Sequence, residues 1–333
     1  MKKIVKITDV AAKAGVAKST VSNVLTGRKF VSEELKAKVL SACKELDFHP
    51  NFYASGLSSR KSNIIALLLE SNSDVERPFY GELIISCMKE ASKLGYSLLI
   101  YYNSDSQLLL NTLRQGMAPI DGAILMSPCV DDERLTQIQS DFIDCVVVGR
   151  PDSNLGLNYV DIDNVKLVRD VCNELIAAYG TDIYLINSNL NLTISQDRAK
   201  SFSEICNEQS LDFNLHMFES KDSSETDGYN LAGRVVRKNS IFVTANGSLA
   251  RGVYRAVAEK GLEVGKDVAV FALGRSQQHG SFQPQLSYAE QDYSVLGKKA
   301  VQLLIGSIKG ERNPESVLIE SKLNFKQSAK KSY

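Results

Sequence analysis

The sequence predicts an all-α module over residues 1–50, a linker over 51–61, and an α/β body over 62–333 in which parallel sheets flanked by helices form two lobes. Three observations carry that expectation. Apolar residues between 6 and 48 recur at three- and four-residue spacing, the period of short helices. From Ile64 onward, short apolar runs alternate with longer amphipathic stretches, as strands joined by helical crossovers do. After Asp163 the alternation starts afresh, so the body reads as two halves with a cleft between them.

In the N-terminal module Thr8 is the expected N-cap of a first helix with Val10, Ala11 and Ala14 on its apolar face. Gly15, which tolerates a left-handed backbone, ends it. The turn Gly15-Val16-Ala17 leads to a second helix at about Lys18–Leu25, with Val21, Val24 and Leu25 inward and Gly27 behind it. Ser32 is expected to cap a third helix, with Glu33 and Glu34 in its first turn and Leu35, Val39, Ala42 and Leu46 as its buried stripe. Two short helices around a glycine-containing turn form the helix-turn-helix pattern. Ala11, Ala12 and Ala14 permit close approach of the helices. Lys18, Ser19, Thr20, Ser22 and Asn23 leave short donors and acceptors on the exposed side of the second helix, where they can reach base edges in a major groove. A small helical bundle with a polar surface has the same spacing, and spacing alone leaves both readings open.

In the body the expected strands are Ile64–Leu69, Ser97–Tyr102, Gly122–Met126, Cys145–Val148, Asp182–Ile186, Leu215–Phe218, Ile241–Val243 and Val268–Ala272. The expected helices are Tyr80–Leu94, one near Gln107–Gln115, one between Met126 and Cys145, Asn164–Ala178, Ile194–Glu208, Thr226–Arg237 and Ser248–Lys260. The lobes then cover about 62–162 plus 291–325, and about 163–290. Ligands of such sheets lie beyond the carboxyl ends of the strands, which directs attention to the loops after Leu69, Val148, Ile186, Val243 and Ala272.

Charge is distributed unevenly. The chain has 39 Lys and Arg against 39 Asp and Glu, yet residues 1–62 hold twelve of the former and five of the latter. A basic head on an acidic body suits a small polyanion-binding module attached to something larger. The start MKKIVKITDV is broken by Thr8 and Asp9 too early for a signal peptide. No apolar stretch approaches the ~20 residues that would span a membrane. The expected location is the cytoplasm. Six cysteines lie far apart with no CxxC pair, as thiols of a reducing compartment do. Enzyme readings lack their chemistry: there is no G-x-x-x-x-G-K-[ST] loop and no G-x-S-x-G elbow. The three histidines sit in unrelated segments, so neither a metal nor a cofactor is expected.

The run TDVAAKAGVAKSTVSNVLTG closely resembles the signature that opens LacI/GalR-type regulators, with Ala17, Asn23 and Thr26 where that family usually has Ser, Arg and Asn. VSEELKAKVLSACKELDFHPN is similar to the family's third helix, and Phe48-His49-Pro50-Asn51 to its exit. Pro78-Phe79-Tyr80, Val160-Asp161-Ile162-Asp163-Asn164, Gln196-Asp197-Arg198 and Gln291-Asp292-Tyr293 lie in family register, so the resemblance extends over nearly the whole chain. It implies a periplasmic-binding-protein-like body behind a helix-turn-helix headpiece. The implied activity is that of a sequence-specific transcriptional repressor: a nucleoid-associated homodimer on a near-palindromic DNA operator, controlled by a small sugar or sugar phosphate. The implied DNA contacts are Thr8, Lys18, Ser19, Thr20, Ser22, Asn23 and Thr26, with Asn51, Tyr53 and Leu57 from a hinge helix. Leu57 falls on the residue that wedges between base steps in the minor groove. Ala54-Ser55-Gly56-Leu57 replaces the frequent Ala-Arg-x-Leu, and Gly56 costs roughly 1 kcal/mol of helix propensity relative to Ala, so a hinge that is weak without DNA is expected.

For the effector, the resemblance implies Arg198, whose guanidinium fork can fix two sugar oxygens, with Asp197 to orient it. It adds Phe79 against the ligand, Asn246 in a pocket loop and Asp163 near the cleft. Asp163 reads equally as a helix cap, Phe79 as core, and Arg198 as a partner of Asp197 alone. Two departures alter the ligand set. Asn246-Gly247 stands for Asn-Asp, and Ala272-Leu273-Gly274 for Gly-Phe/Tyr-Asp, with Arg275 beside the lost carboxylate. An anionic effector is therefore open. Gln196-Asp197-Arg198 and the segment Ser223–Tyr229 look most like maltose-type and other α-glucoside regulators. Two further classes compete. A cytoplasmic solute-binding protein has no use for the basic headpiece, and a nonspecific architectural DNA protein has none for the large body.

Overall fold

The computed structural model describes residues 5–26, 29–48, 62–70, 79–103, 120–141, 143–152, 155–274, 279–311 and 316–330. The expected hinge with Asn51, Tyr53 and Leu57, and the helix near Gln107–Gln115, lie outside these residues. The chain divides into two compact units, residues 1–62 and 63–333.

The first unit holds α1 (Ile7–Ala14), α2 (Lys18–Thr26) and α3 (Glu33–Glu45). Thr8 is not the cap of α1. Lys6 is, because the Asp9 carboxylate reaches back to accept the Lys6 backbone N–H at 2.8 Å, which leaves Thr8 exposed in the first turn. Gly15 takes φ 65°, and the N–H groups of Gly15 and Val16 close the helix on the carbonyls of Ala12 and Ala11. Val10, Ala11, Val21, Val39 and Ala42 form the buried centre, with Val24, Leu25 and Leu46 packed round it, so the three stripes read from the sequence meet in one small core.

The second unit is built on two sheets. The first has the order β11-β5-β4-β3-β1-β2, from β1 (Ile64–Glu70), β2 (Ser97–Asn103), β3 (Gly122–Met126), β4 (Cys145–Val148), β5 (Asn158–Ile162) and β11 (Ser316–Ile319), and every pairing is parallel. The second has the order β12-β10-β9-β8-β6-β7, from β6 (Ile183–Asn187), β7 (Met217–Glu219), β8 (Ile241–Thr244), β9 (Ala269–Ala272), β10 (Ser287–Glu290) and β12 (Lys322–Asn324). Its β10–β12 edge alone is antiparallel. Central strands such as β3, β4, β6, β8 and β9 are buried along their whole length. Their unbroken apolar runs follow from helices covering both faces of a parallel sheet.

Eight helices accompany these strands among the described residues: α4 (Phe79–Lys93), α5 (Glu133–Ser140), α6 (Asn164–Tyr179), α7 (Thr193–Glu208), α8 (Phe213–His216), α9 (Glu225–Gly233), α10 (Gly247–Glu259) and α11 (Tyr293–Ile308). Two expectations shift. The segment expected as a strand from Leu215 begins instead with the one-turn α8, because Asp212 caps it by accepting the Asn214 N–H at 2.9 Å. The helix expected to reach Arg237 stops at Gly233, ahead of the β-branched pair Val235-Val236.

The chain passes between the sheets three times, after β5, after β10 and after β11. The third passage corrects the expected lobe limits. β12 pairs with β10 of the second sheet, and Ser328 behind it bonds Val270 and Ser287, so residues 322–325 leave the first lobe. No helix of the described residues is long and apolar enough to cross a membrane. No group of three or more His, Cys, Asp or Glu among them could hold a metal ion.

Candidate DNA-reading helix and effector cleft

On α2, Lys18 and Ser19 are exposed, while Thr20, Ser22 and Asn23 are half-buried around the fully buried Val21. One apolar side holds this helix against α1 and α3, with Lys18 and Ser19 on its outer face. The side chain of Thr26 lies outside the described residues, as do Asn51, Tyr53 and Leu57.

In the body, polar groups gather where strands end and the chain changes sheets. Arg198, on the first turns of α7, is 5% exposed. Its Nε donates to Asn164 Oδ1 at 3.0 Å, and Asn164 is itself fixed by donating to the Ile162 carbonyl at 3.0 Å. Burial pulls the Arg198 pKa down to about 10, with Tyr293, Asp161 and Asp197 acting against it. Asp197 does not orient Arg198. Its two carboxylate oxygens take the guanidinium fork of Arg150, Nε at 2.9 Å and Nη2 at the other oxygen. Arg150 follows β4 in the first lobe, whereas Asp197 belongs to the second, so this ion pair bridges the lobes.

Asp161, at the end of β5, accepts the backbone N–H groups of Arg150 at 3.0 Å and Ile162 at 2.7 Å. Burial still pushes its carboxyl up to about 6, because two amide dipoles repay only part of the lost hydration. Nearby, Tyr293 donates to Gln291 at 2.6 Å, and Gln291 donates to the Leu273 carbonyl behind β9. A second contact joins the lobes. Val130 N–H donates to the Asn191 carbonyl at 2.8 Å, and the Thr193 N–H and hydroxyl both donate to the Pro128 carbonyl.

Asp163 caps α6 by accepting the Lys166 N–H at 2.9 Å. Asn246 caps α10 in the same way through Leu249, and its amide donates to the Ser223 carbonyl. The Phe79 side chain is outside the described residues. The structure therefore brings Arg198 and Asp197 to the junction of the lobes, together with Arg150, Asp161, Asn164 and Tyr293, none of which was singled out for the site. Arg150 had a signal in the sequence: a charged side chain directly behind the buried run Val146-Val147-Val148-Gly149.

A helix-turn-helix unit ahead of a two-lobe α/β body defines a class, the DNA-binding regulator of transcription. Residues 6–51 match the model of bacterial regulatory proteins of the lacI family, and residues 174–329 match a periplasmic binding protein-like domain. The chain thus joins a lacI-family DNA-binding domain to a periplasmic-binding-protein-like domain. It is 29% identical to the HTH-type transcriptional regulator RegA of Clostridium saccharobutylicum, over 97% of this chain and 98% of that protein. It is 28% identical to the ribose operon repressor of Bacillus subtilis, over 94% of each. Among solved structures, a lac repressor dimer bound to operator and an anti-inducer superposes with a TM-score of 0.84 at 22% identity, over 98% of this chain and 99% of that one. A complex of the transcriptional regulator CelR with cellobiose gives 0.73 at 22% identity, over 98% and 100%.

Proposed function

We propose that this chain is a transcriptional repressor, not an enzyme, and that its hold on an operator is controlled by a small sugar or sugar-derived effector bound between the two lobes. The observation that carries the effector reading is Arg198, buried at the lobe junction and using only its Nε among the described residues. A guanidinium withdrawn from water with donors to spare is suited to a ligand rich in oxygen. Asp197 helps through Arg150, by tying the lobes where the ligand would lie. Phe79, Asp163 and Asn246 belong to the same proposed pocket, the last two supporting its walls as caps.

The headpiece acts through Lys18, Ser19, Thr20, Ser22, Asn23, Thr8 and Thr26, with Asn51, Tyr53 and Leu57 entering the minor groove. The active species is a cytoplasmic homodimer. Supporting this, α4 exposes Ile85 and Met88 at 53% and 52% one turn apart, and the edge strand β2 exposes Tyr102 at 65%. A second copy of the body covers that face, so that two headpieces meet two half-sites. Effector changes the angle between the lobes, and this decides whether paired hinge segments can form on DNA.

The test is a gel shift on a selected operator with increasing sugar. Wild-type protein is released, and Arg198→Ala stays bound at concentrations that release the wild type. Release of the variant at those same concentrations removes Arg198 from the pocket, and tighter wild-type binding with sugar makes the effector a corepressor.

A further inference from the structure

We propose that the effector carries an anionic group, a carboxylate or a phosphate, and that Arg198 is its counter-ion. The inference rests on the cleft reading above and narrows it. Four observations point the same way. Arg198 is almost wholly buried, yet its one hydrogen bond runs to a neutral amide, Asn164, and among the described residues neither Nη nitrogen has an acceptor. Its neighbour Asp197 is held at both oxygens by Arg150 from the other lobe. Asp161 spends its two oxygens on the N–H groups of Arg150 and Ile162. Behind β9 the chain offers Gly274, which has no side chain to supply a charge.

A cation taken this far from water is stabilised by whatever acceptors surround it, and here the carboxylates near it are engaged by other donors. A sugar hydroxyl offers it a dipole. A carboxylate or phosphate offers a full charge and two oxygens matched to the planar fork. Arg150 contributes at a distance: while it neutralises Asp197, that carboxylate does not repel an incoming anion. Asp161, already pushed up to about 6 by burial, takes up a proton more readily than an ordinary carboxylate when an anion arrives.

The experiment measures binding of matched pairs to the full chain by calorimetry and thermal shift: glucose with glucose 6-phosphate and glucuronate, ribose with ribose 5-phosphate, maltose with its 6′-phosphate, and inorganic phosphate alone. At least one anionic member is expected to bind about tenfold or more tighter than its neutral parent, a margin that shrinks as salt screens the charge. Arg198→Gln loses that margin, Arg198→Lys keeps part of it, and Arg150→Gln narrows it by exposing the Asp197 charge. The wild-type comparison stands even where a variant fails to fold. A neutral parent that binds as tightly as its anionic partner overturns the proposal and leaves the sugar reading intact. Inorganic phosphate binding as tightly as the sugar phosphates supports the anion site and overturns the sugar. Binding by no member of any pair overturns both.

Discussion

At neutral pH the Asp161 carboxyl lies within about one unit of its own midpoint, since burial holds it at about 6 against an ordinary value of 3.8. The sign of the consequence follows from proton counting. Between the two values the folded state binds more protons than the unfolded one, so this group's contribution to stability improves as pH falls from 7 toward 4 and is flat below. Carbon-13 NMR of labelled aspartate side chains should find one carboxyl titrating near pH 6. Titration of every aspartate below pH 5 would mean that the Asp161 carboxyl is hydrated. At this scale the sequence was only partly legible. Arg198 and Asp197 could be named because both stand in a recognisable run. Their partners could not, because Arg150 lies 47 positions before Asp197 in the chain and no periodicity connects them. The cap at Asp163 was legible, since a carboxylate directly before a helix can accept one of its free N–H groups.

Between elements, α9 and α10 meet backbone to backbone at two glycines. A Cβ on Gly252 would lie 2.1 Å from the Glu225 carbonyl oxygen, and one on Gly228 would lie 2.2 Å from that of Leu249. Both obstacles are backbone, which cannot swing aside. Gly252→Ala should therefore lose about 1–3 kcal/mol in urea unfolding, the usual range for forcing extra volume into a packed contact. Gly233, with nothing within 4 Å of its would-be Cβ, is the control. Gly233→Ala should be neutral or gain up to about 1 kcal/mol from helix propensity. Equal losses in the two variants would contradict the packing. Eight strands and the long helices up to α10 were legible because burial on both faces imposes long apolar runs, whereas β5, β10, β11, β12 and the long α11 were not among the expected elements. The short α8 and the early end of α9 were not, since one cap and one Val-Val pair decide them. For the hinge, Leu57→Ala is expected to reduce DNA bending in circular-permutation gel shifts. Undiminished bending would remove the wedge.

The whole molecule was legible in outline: a basic helical head, then two rounds of α/β alternation. What no local pattern announced was where the last strand goes, because β12 is three residues long and is placed by its partner β10. Assembly is tested by a chain beginning at Ser62, which should stay dimeric by light scattering at micromolar concentration, and by Ile85→Glu, which should shift it toward monomer. A monomer before the substitution would refute the proposed face. On DNA the full chain should protect a ~14–20 bp site with internal two-fold symmetry, and its affinity should fall steeply with salt. An asymmetric footprint would count against two headpieces acting together.

The three passages between the sheets also bear on how such a protein can be rebuilt. Neither lobe is one continuous stretch of chain, so a single splice can never exchange the effector-facing half of this regulator for that of a relative. A graft of the second lobe needs two inserts, roughly residues 163–290 and 322–330, and three junctions directly behind strands, the first leading into α6, the second into α11 and the third into β12. Chimaeras joined at one point within the body should misfold, whereas exchange at the boundary between residues 62 and 63, where the chain passes once from one compact unit to the next, should yield hybrids that pair a new operator preference with the old effector.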